Sequence, residues 1–210
     1  MDKKKNISMA VIKRLPKYHR YLAELMRNDV DRISSKELSE KIGFTASQIR
    51  QDLNCFGDFG QQGYGYNVNE LYNQISSILG LTKDYRTVIV GAGNIGQAIA
   101  NYTEFEKLGF KLQGIFDINP KLMGLKIRDI EIQDIDYLDN YLKENPTDIG
   151  IICVPNKNAQ KICDIFTKND VKGIWNFAPI DLIVPETVKV ENVHLSGSLL
   201  TLSCLLNDIE

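Results

Sequence analysis

The segment TVIVGAGNIG at residues 87–96 constrains the possible folds of this chain more than any other stretch. Its first four residues favour a short buried strand, and the glycines that follow fit the pattern G-x-G-x-x-G. In this pattern the first glycine permits a tight turn, the second lets a pyrophosphate approach the backbone, and the third lets a helix pack on the strand. Residues 97–100 continue as that helix, whose N-terminal N–H groups attract phosphate. The segment therefore predicts a dinucleotide-binding turn.

A carboxylate follows this turn at the spacing that a dinucleotide requires. A second predicted strand, at residues 112–116, ends in Asp117, which lies about 20 residues beyond Gly96. A carboxylate there accepts hydrogen bonds from the ribose hydroxyls and repels a 2′-phosphate, which favours NAD(H) over NADP(H). The alternative is a chance glycine-rich turn before an unrelated helix, and the strand and Asp117 argue against it.

The region from 86 to 193 continues as alternating predicted strands and helices. Residues 148–154 form a nearly continuous apolar run, as expected for a parallel strand that is covered on both faces. Further elements are predicted as a hairpin-like stretch at 124–132, helices at 135–143 and 158–168, and a strand at 173–176. This alternation predicts a doubly wound parallel sheet of the α/β class, which binds ligands at the carboxyl ends of its strands.

The net charge of −2 hides an uneven distribution of charge along the chain. Residues 1–56 carry 12 basic and 7 acidic side chains, whereas the remaining residues carry 13 and 20. A basic N-terminal region followed by an acidic remainder predicts a polyanionic partner for the N-terminal region alone. The sequence has neither a run of 18 apolar residues nor a recognisable signal peptide, and its four cysteines lack metal-binding spacing. We therefore expect a cytoplasmic protein with reduced thiols, no metal site and no membrane partner.

Residues 1–80 predict a small helical domain. One or two helical turns are expected at 7–14, and Pro16 is expected to separate them from a helix that begins at Lys17 and ends near residue 28. Capping boxes at 34–37 and 45–48 open two short helices that a glycine-containing turn joins. This is the helix-turn-helix arrangement. Its second helix is expected to present four polar residues to DNA: Ser47, Gln48, Arg50 and Gln51.

Residues 56–66, FGDFGQQGYGY, alternate glycines with aromatic residues behind that second helix. A glycine-rich hairpin in this place is typical of a wing, because its backbone can approach DNA closely. The alternative for the whole head is a helical dimerisation or lid domain, in which the aromatic residues form a small core of their own.

The C-terminal segment LSGSLLTLSCLL, residues 195–206, carries no charge. An amphipathic surface helix has a charged, polar face, so we expect this helix to be buried on most sides. Two explanations stay open: insertion against a second copy of the protein, or burial in the core of its own domain.

Several segments together resemble one family over essentially the whole chain: KRLPKYHRYL, SSKELSE, TASQIRQDL, FGDFGQQGYGYNV, GAGNIG, GIFD, VKGIWNFAP and VENVHL. The chain resembles the Rex family of redox-sensing transcriptional repressors. The resemblance implies a homodimeric repressor, not an enzyme, that senses the NADH/NAD⁺ ratio. It also implies a winged-helix domain at 1–80, a Rossmann domain at 86–193 and a domain-swapped helix at 194–210.

The resemblance further assigns roles to individual residues. NADH binding to the Rossmann domain is expected to close the dimer, so that its recognition helices no longer match an inverted repeat in operator DNA. Besides the helix residues above, DNA contacts are expected from Lys13, Arg14, Lys17, Phe59, Gly60, Gly63, Tyr64 and Gly65. NAD(H) contacts are expected from Gly91, Ala92, Gly93, Asn94, Ile95, Gly96, Asp117, Val154, Pro155, Asn176, Phe177, Ala178 and Pro179.

Two positions depart from the pattern of this family. Gln51 stands where members usually have a basic residue, and the lost cation should slightly lower the salt dependence of DNA binding. His194 stands where members usually have Asp, in a group with Tyr102 and Arg20 that couples two protomers. Histidine cannot form the same ion pair with Arg20, and its charge changes near neutral pH. The alternative for His194 is a plain packing or hydrogen-bonding role.

The residues also leave other functions open. A small NAD-dependent dehydrogenase would need an acid–base group at the nicotinamide, and His194 is the only histidine of the predicted body. A DNA-binding sensor of another nucleotide, such as CoA or NADP(H), is a second possibility, although Asp117 disfavours NADP(H). A thiol sensor that acts through Cys55 is a third, although no basic residue adjoins Cys55 to favour its thiolate.

Overall fold

The computed structural model describes residues 7–56 and 64–207 of the 210-residue chain. The chain divides into two compact units, Met1–Lys83 and Asp84–Glu210. We refer to them as the head and the body. Within the described residues, no helix has both the length and the apolar character needed to cross a membrane.

The head is a bundle of helices with a two-stranded sheet. Strand β1 runs antiparallel to β2, so that Arg32 lies opposite Asn67. Leucine, isoleucine and aromatic side chains from all the helices form one buried core, to which Ile33 of β1 also belongs. The elements, in chain order, are α1 (Met9–Arg27), β1 (Arg32–Ile33), α2 (Ser35–Ile42), α3 (Ala46–Asn54), β2 (Tyr66–Asn67) and α4 (Val68–Ile78).

Helix α1 continues through Pro16, so the predicted break at this proline is wrong. Proline removes one backbone hydrogen bond from a helix, in this case the bond to the carbonyl of Ile12. Pro16 and Ile12 both lie on the exposed side of α1, where water can reach that carbonyl. Leu15 and Leu22 are fully buried on the opposite side. Their burial outweighs the loss of one exposed hydrogen bond.

Side-chain caps begin the helices where the sequence predicts them. The capping box of α2 is complete, because the Ser34 hydroxyl accepts from the Glu37 N–H and the Glu37 carboxylate accepts from the Ser34 N–H. The box predicted for α3 is only half formed. Thr45 accepts from the N–H of Gln48, but the Gln48 side chain points to another residue of α3. The predicted helix-turn-helix is confirmed as α2, a turn at Gly43, and α3.

The body is a seven-stranded sheet, within the described residues, with strand order β5-β6-β4-β3-β7-β8-β9. Every neighbouring pair is parallel except β5 and β6. Its strands are β3 (Tyr85–Val90), β4 (Phe110–Asp117), β5 (Lys126–Ile127), β6 (Ile130–Asp134), β7 (Ile149–Ile152), β8 (Gly173–Asn176) and β9 (Lys189–Asn192). Its helices are α5 (Asn94–Asn101), α6 (Glu104–Lys107), α7 (Leu138–Glu144), α8 (Asn156–Lys168) and α9 (Leu195–Asn207).

Strand β3 explains why helices cover both faces of this sheet. Val88 and Val90 point to one face, where they pack in the same cluster as Leu138 of α7 and Phe166 of α8. Ile89 points to the other face and packs in a cluster with Ala100 of α5. Successive buried residues of β3 therefore face two separate cores, one on each face of the sheet. This confirms the predicted doubly wound α/β sheet.

Two strands of the body differ from the sequence-based expectations. The predicted hairpin at 124–132 is present as β5 and β6, but β6 also pairs in parallel with β4 and so joins the main sheet. Strand β9 has no counterpart in the prediction. Its residues alternate between exposed and half-buried at the edge of the sheet, so their sequence lacks the apolar run that marks the central strands.

Helix α9 is exposed over its whole length in this chain. Leu199 is 67% exposed and Leu200 is 68% exposed, although the helix carries no charge. One of the two explanations for this segment, burial in the core of its own domain, is therefore wrong. The other explanation, insertion against a second copy, stays a prediction.

Candidate functional site

A cleft of about 360 Å³ opens at the carboxyl edge of the body sheet. It brings together five of the predicted cofactor residues, which come from three separate segments: Gly91, Gly93, Asp117, Val154 and Pro155. Parallel strands β3, β4 and β7 end here side by side, so residues that follow them meet at one edge. This is the position at which doubly wound sheets bind nucleotides.

The glycines of the cleft differ in what surrounds them. Gly91 has a φ of +101°, and a Cβ there would lie 2.4 Å from the carbonyl oxygen of Cys153. A Cβ at Gly96 would lie 1.9 Å from the carbonyl oxygen of Gly91. A Cβ at Gly93, in contrast, would meet no described atom within 4 Å. Gly91 and Gly96 are therefore required by packing, whereas Gly93 leaves open space in the cleft.

Gly93 also begins helix α5 without offering a side chain to cap it. The predicted residues Asn94 and Ile95 form the first turn of α5, and their N–H groups lie at its positive end. Ala92 is fully buried beside them. These four residues form an uncapped helix N-terminus next to open space, which suits an anionic group.

Asp117 is held in place by two backbone groups. Its Oδ2 accepts from the N–H of Ala92 at 2.6 Å, and its Oδ1 accepts from the N–H of Asn119 at 2.7 Å. The carboxylate therefore ties the glycine turn to the end of β4. Each oxygen keeps a second lone pair that can accept from a hydroxyl group.

The cleft also contains residues that the sequence analysis missed: Ile118, Asp136, Asp139, Asn158 and Lys161. Hydrogen bonds from Asn169 and Lys143 hold the pKa of Asp139 well below its usual range, so this carboxylate stays ionised. Lys143 and Lys168 balance its charge through ion pairs, so the acidic character of the cleft comes from Asp117 and Asp136, and Lys161 adds one basic group. Asn158 and Lys161 follow β7 on α8, and the rule that ligands bind beyond strand ends could have identified them.

The Asn176 side chain, predicted as a cofactor ligand, is instead part of the framework. It is fully buried, its Nδ2 donates to the carbonyl of Ile180 at 2.8 Å, and its Oδ1 accepts from the N–H of Ala178 at 3.0 Å. The amide shapes the loop that follows β8 and is not directed into the cleft. In this loop Phe177 is half-buried, Ala178 is buried and Pro179 is exposed, and their predicted cofactor contacts stay predictions.

Two cysteines of the body, Cys153 and Cys163, have thiols of low reactivity. Burial raises the pKa of the Cys153 thiol to about 12 and that of Cys163 to about 11. Both are therefore protonated at neutral pH and poorly nucleophilic. In the head, Cys55 donates its thiol hydrogen to the carbonyl of Gln51 within α3.

Helix α3 presents a polar, exposed face. Its exposed residues include Ser47, Arg50 and Gln51, three of the four predicted contacts. Arg50 Nη1 donates to the Ser35 hydroxyl at 2.9 Å, so the first turn of α2 orients this guanidinium. The arrangement suits a helix that enters the major groove of DNA.

Arg14 and Gln48, both predicted to contact DNA, belong to a buried network instead. Arg14 donates twice to Asp52, at 2.6 and 2.7 Å, and Gln48 donates to the same carboxylate at 2.9 Å. Asp52 is 1% exposed, and a buried carboxylate requires such partners. The sequence alone predicts a surface cation at Arg14, because its partner Asp52 lies 38 positions away along the chain.

A polar groove of about 270 Å³ lies between α1 and the end of α2. Two residues with predicted roles, Lys17 and Arg20, line it together with Glu24 and Lys41. Lys17 Nζ also lies 5.0 Å from the centre of the Phe44 ring. Lys41 is a basic residue that the sequence analysis missed, because only the fold brings the end of α2 next to α1. Lys13 also lies on α1, close to Lys17 in the sequence, and is exposed.

The predicted wing is described only at its base. Phe59, Gly60 and Gly63 lie outside the described residues. Gly65 has a φ of +73°, and a Cβ there would lie 2.8 Å from the carbonyl oxygen of Ile33. Gly65 therefore allows the chain to return close to β1. Tyr64 beside it is 70% exposed and available to a partner.

The three predicted coupling residues lie in different places. Arg20 is on α1 of the head. In the body, Tyr102 follows α5 and is 55% exposed, and His194 is exposed immediately before α9. Tyr102 packs edge-to-face on Phe105 with ring centres 4.8 Å apart. Their meeting across two protomers stays a prediction.

A basic helix-turn-helix head followed by a nucleotide-type doubly wound body defines a class: DNA-binding proteins with a ligand-binding domain. Two family models match the chain. One, described as a DNA-binding protein N-terminus, matches residues 6–54, and the other, described as a CoA binding domain, matches residues 82–180.

Curated relatives are named redox-sensing transcriptional repressor Rex. Those from Clostridium kluyveri and Clostridium tetani are 82% and 78% identical, each over 100% of both chains. A solved Rex-type structure, RSP in complex with β-NADH, is 61% identical and covers 97% of this chain and 96% of its own, with a TM-score of 0.90. RSP with β-NAD⁺ and operator DNA is 64% identical and covers 97% and 94%, with a TM-score of 0.91.

The chain belongs to the Rex family of redox-sensing transcriptional repressors. It is a DNA-binding repressor and not a dehydrogenase, which excludes the enzyme alternative considered above. The resemblance seen in the sequence motifs is confirmed over the full length of the chain.

Proposed function

We propose that this repressor binds operator DNA through the head and NAD(H) through the cleft of the body, and releases the operator when NADH replaces NAD⁺. The observation that carries the proposal is the cleft, in which the open space at Gly93, the uncapped end of α5 and the carboxylate of Asp117 adjoin. The solved relative RSP has been crystallised with NADH and with NAD⁺ and operator DNA.

The residues of the cleft fit such a cofactor. Backbone N–H groups at the start of α5 would bind the pyrophosphate, close to the position that a Cβ at Gly93 would fill. Asp117 would accept from the adenosine ribose hydroxyls, and its charge together with that of Asp136 would disfavour an additional phosphate there. The two forms of the cofactor differ in the charge of the nicotinamide ring, which is cationic in NAD⁺ and neutral in NADH.

The head supplies the DNA contacts. Arg50 and its neighbours on α3 would face base edges, and Lys13 and Lys17 of α1 would face phosphates. In a two-fold dimer, two copies of α3 would enter major grooves about 34–36 Å apart and bind an inverted repeat. DNA binding also supports a cytoplasmic location, since bacterial operators lie in the cytoplasm.

Helix α9 supplies the dimer contact in this proposal. Six of its leucines are between 51% and 68% exposed in the single chain: Leu195, Leu199, Leu200, Leu202, Leu205 and Leu206. An uncharged helix with this much exposed apolar surface is unstable in water unless a partner covers it. A second copy that exchanges α9 would cover both helices by symmetry.

Operator release sets a minimum for the coupling between the two ligands. To lower operator occupancy cleanly, NADH must weaken operator affinity about 100-fold, which corresponds to about 2.7 kcal/mol. NAD⁺ must occupy the same cleft with little effect on operator affinity. The expected response is therefore to the ratio of the two forms.

Fluorescence anisotropy of a labelled inverted-repeat fragment tests the proposal directly. The dimer is bound to this DNA in excess NAD⁺, and NADH is then titrated. We expect release at NADH concentrations well below that of NAD⁺. Parallel titrations use NADPH and CoA, because one family model carries the CoA description and the acidic cleft disfavours NADPH.

Each outcome of this titration decides between functions. Release by NADH alone supports the proposal. Release by CoA or NADPH instead would show a sensor of another nucleotide. Binding to DNA that no nucleotide changes would contradict the proposed switch.

A further inference from the structure

Asn176 and Asn192 lie side by side at the ends of two neighbouring parallel strands. They are register partners in the β8–β9 pair, and Asn176 Nδ2 donates to Asn192 Oδ1 at 2.9 Å. Asn192 Nδ2 in turn donates to Asp181 Oδ1 at 3.3 Å. Because β9 is an edge strand, this side-chain pair adds a specific connection where the backbone ladder ends.

The same Asn176 side chain determines the shape of the loop that follows β8. Its two Nδ2 hydrogens serve three acceptors, Asn192 Oδ1 and the carbonyls of Ile180 and Ala178 at 2.8 and 3.1 Å, so that one hydrogen is shared. Its Oδ1 accepts from the N–H of Ala178 at 3.0 Å. The amide is fully buried, so any displacement of the loop that broke these bonds would leave polar groups unpaired at considerable cost.

The connection continues from this pair to the start of α9. The N–H of Val193 donates to the carbonyl of Asn176 at 2.8 Å. His194 follows, and its carbonyl accepts from the N–H of Gly197 in the first turn of α9. Only two residues therefore separate Asn192 from Leu195, at which α9 begins.

We propose that Asn176 and Asn192 are positioning residues that join the loop at residues 177–180 to the start of α9, so that the two move together. This inference rests on the proposed function, on the NAD(H) contacts expected from Phe177, Ala178 and Pro179, and on the packing of α9 against a second copy. The pair would then transmit the difference between NAD⁺ and NADH to the dimer contact. Neither asparagine side chain needs to touch the cofactor.

The variant Asn192→Ala tests this role, because Asn192 is not a residue of the cleft wall. Operator affinity is measured by anisotropy in saturating NAD⁺ and in saturating NADH, and NADH affinity is measured separately by calorimetry. We expect NADH affinity and the operator affinity with NAD⁺ to stay within about three-fold of wild type. The ratio of the two operator affinities should fall from about 100-fold to about ten-fold or less.

Gln113→Ala is the matched control. Gln113 is also half-buried, and its amide also joins two segments of the body, by a bond of 2.9 Å to Thr147. It lies on β4, away from β9 in the sheet order. Gln113→Ala should lose a similar hydrogen bond, and its thermal stability should fall by a similar amount. It should keep the full ratio of operator affinities in NAD⁺ and in NADH.

A rescue pair separates positioning from general stability. Asn192→Asp keeps the acceptor for Asn176 but places a carboxylate against Asp181. The double variant Asn192→Asp/Asp181→Asn reverses the second hydrogen bond and restores both contacts. We expect Asn192→Asp to lose much of the ratio of operator affinities and the double variant to regain it. This comparison tests the inference even if Asn192→Ala fails to fold.

Three results would overturn the inference. An unchanged ratio in Asn192→Ala, an equal loss in Gln113→Ala, or a double variant no better than Asn192→Asp would each do so, while wild type still responds to NADH. If wild type itself binds the operator equally with NAD⁺ and NADH, the proposed function fails, and the inference fails with it.

Discussion

Arg14 of α1 and Asp52 of α3 form a bidentate ion pair inside the head, with Nε–Oδ2 and Nη2–Oδ1 distances of 2.6 and 2.7 Å. Tyr18 donates to the same carboxylate at 2.8 Å. Asp52 thus adds a charged link between α1 and the helix with the predicted DNA contacts, beside the apolar core that the two helices share.

Replacing this carboxylate should destabilise the head and leave the body unaffected. Asp52→Asn removes the charge that balances Arg14, and loss of one member of a buried pair costs about 3 kcal/mol. We expect a lower unfolding midpoint for the head by calorimetry, weaker operator binding, and unchanged NADH affinity. Asp31→Asn, at an exposed position of the head, is the control. An unchanged midpoint in Asp52→Asn would show that the pair does not fasten α3.

The same carboxylate should make the head sensitive to acid. Burial on its own would raise the pKa of Asp52, but hydrogen bonds from Arg14, Tyr18 and Gln48 outweigh it, so the pKa lies below its usual value. The unfolded head therefore takes up a proton at higher pH than the folded head. The stabilisation is complete above about pH 5 and is lost progressively as pH falls through the pKa values of the unfolded and then the folded state. Asp52→Asn should lack this part of the acid dependence.

His19 should add a second pH dependence at higher pH. Its ring stacks on Tyr72 with centres 4.6 Å apart, its Nε2 lies 3.1 Å from the Ser76 hydroxyl, and burial lowers its pKa. The folded head binds this proton less readily than the unfolded head, so stability should fall as pH decreases below about 6.5. Urea unfolding of the head between pH 8 and 5.5 measures the effect. His19→Phe, which keeps a stacked ring, should abolish it, whereas His194→Gln in the body should not.

The sequence predicted those features that depend on neighbouring residues. The glycines at 91 and 96, the strand before them and Asp117 all lie where the pattern places them, because each acts within a single strand–turn–helix unit. The cap at Ser34 is local in the same way. Such features could be predicted because the physical cause lies within a few residues of its effect.

Features that depend on distant partners were missed or misassigned. Arg14 looked like a surface cation until the fold placed it against Asp52, and Asn176 looked like a ligand until β9 lay beside it. Pro16 looked like a helix break because α1 is stabilised by packing of its buried residues against other helices, which a local pattern does not show. In each case tertiary packing overrides a local preference that was itself correct.

The glycines of the cleft should separate stability from cofactor binding. Gly96→Ala places a Cβ 1.9 Å from the Gly91 carbonyl oxygen and should unfold the body, which Trp175 fluorescence reports. Gly93→Ala meets no described atom within 4 Å, so the fold should persist, but its methyl group occupies the space expected for the pyrophosphate. We expect NADH affinity to fall at least ten-fold in Gly93→Ala at wild-type thermal stability. Equal NADH affinity in this variant would place the pyrophosphate elsewhere.

Arg50 should be needed for DNA and not for NADH. It is exposed on α3, and the Ser35 hydroxyl orients it. An arginine that pairs with a base contributes about 1–3 kcal/mol, so Arg50→Ala should weaken operator binding about ten-fold or more. Arg27→Ala removes the same charge from an exposed helix end of the head and should have a much smaller effect. If a folded Arg50→Ala lost NADH affinity as well, head and body would not act as separate binding modules.

Helix α9 should hold the dimer together through its exposed leucines. Leu199 is 67% exposed in the single chain, and burial of a leucine contributes about 1.5–3 kcal/mol. Leu199→Glu places a charge in that contact, so light scattering after gel filtration should show the mass of one chain instead of two. Leu125→Glu changes a residue that is 54% exposed elsewhere in the body and should leave the dimer intact. Because both leucines are exposed, neither substitution should disrupt the fold of the single chain. A dimer that survives Leu199→Glu would mean that another surface joins the two copies.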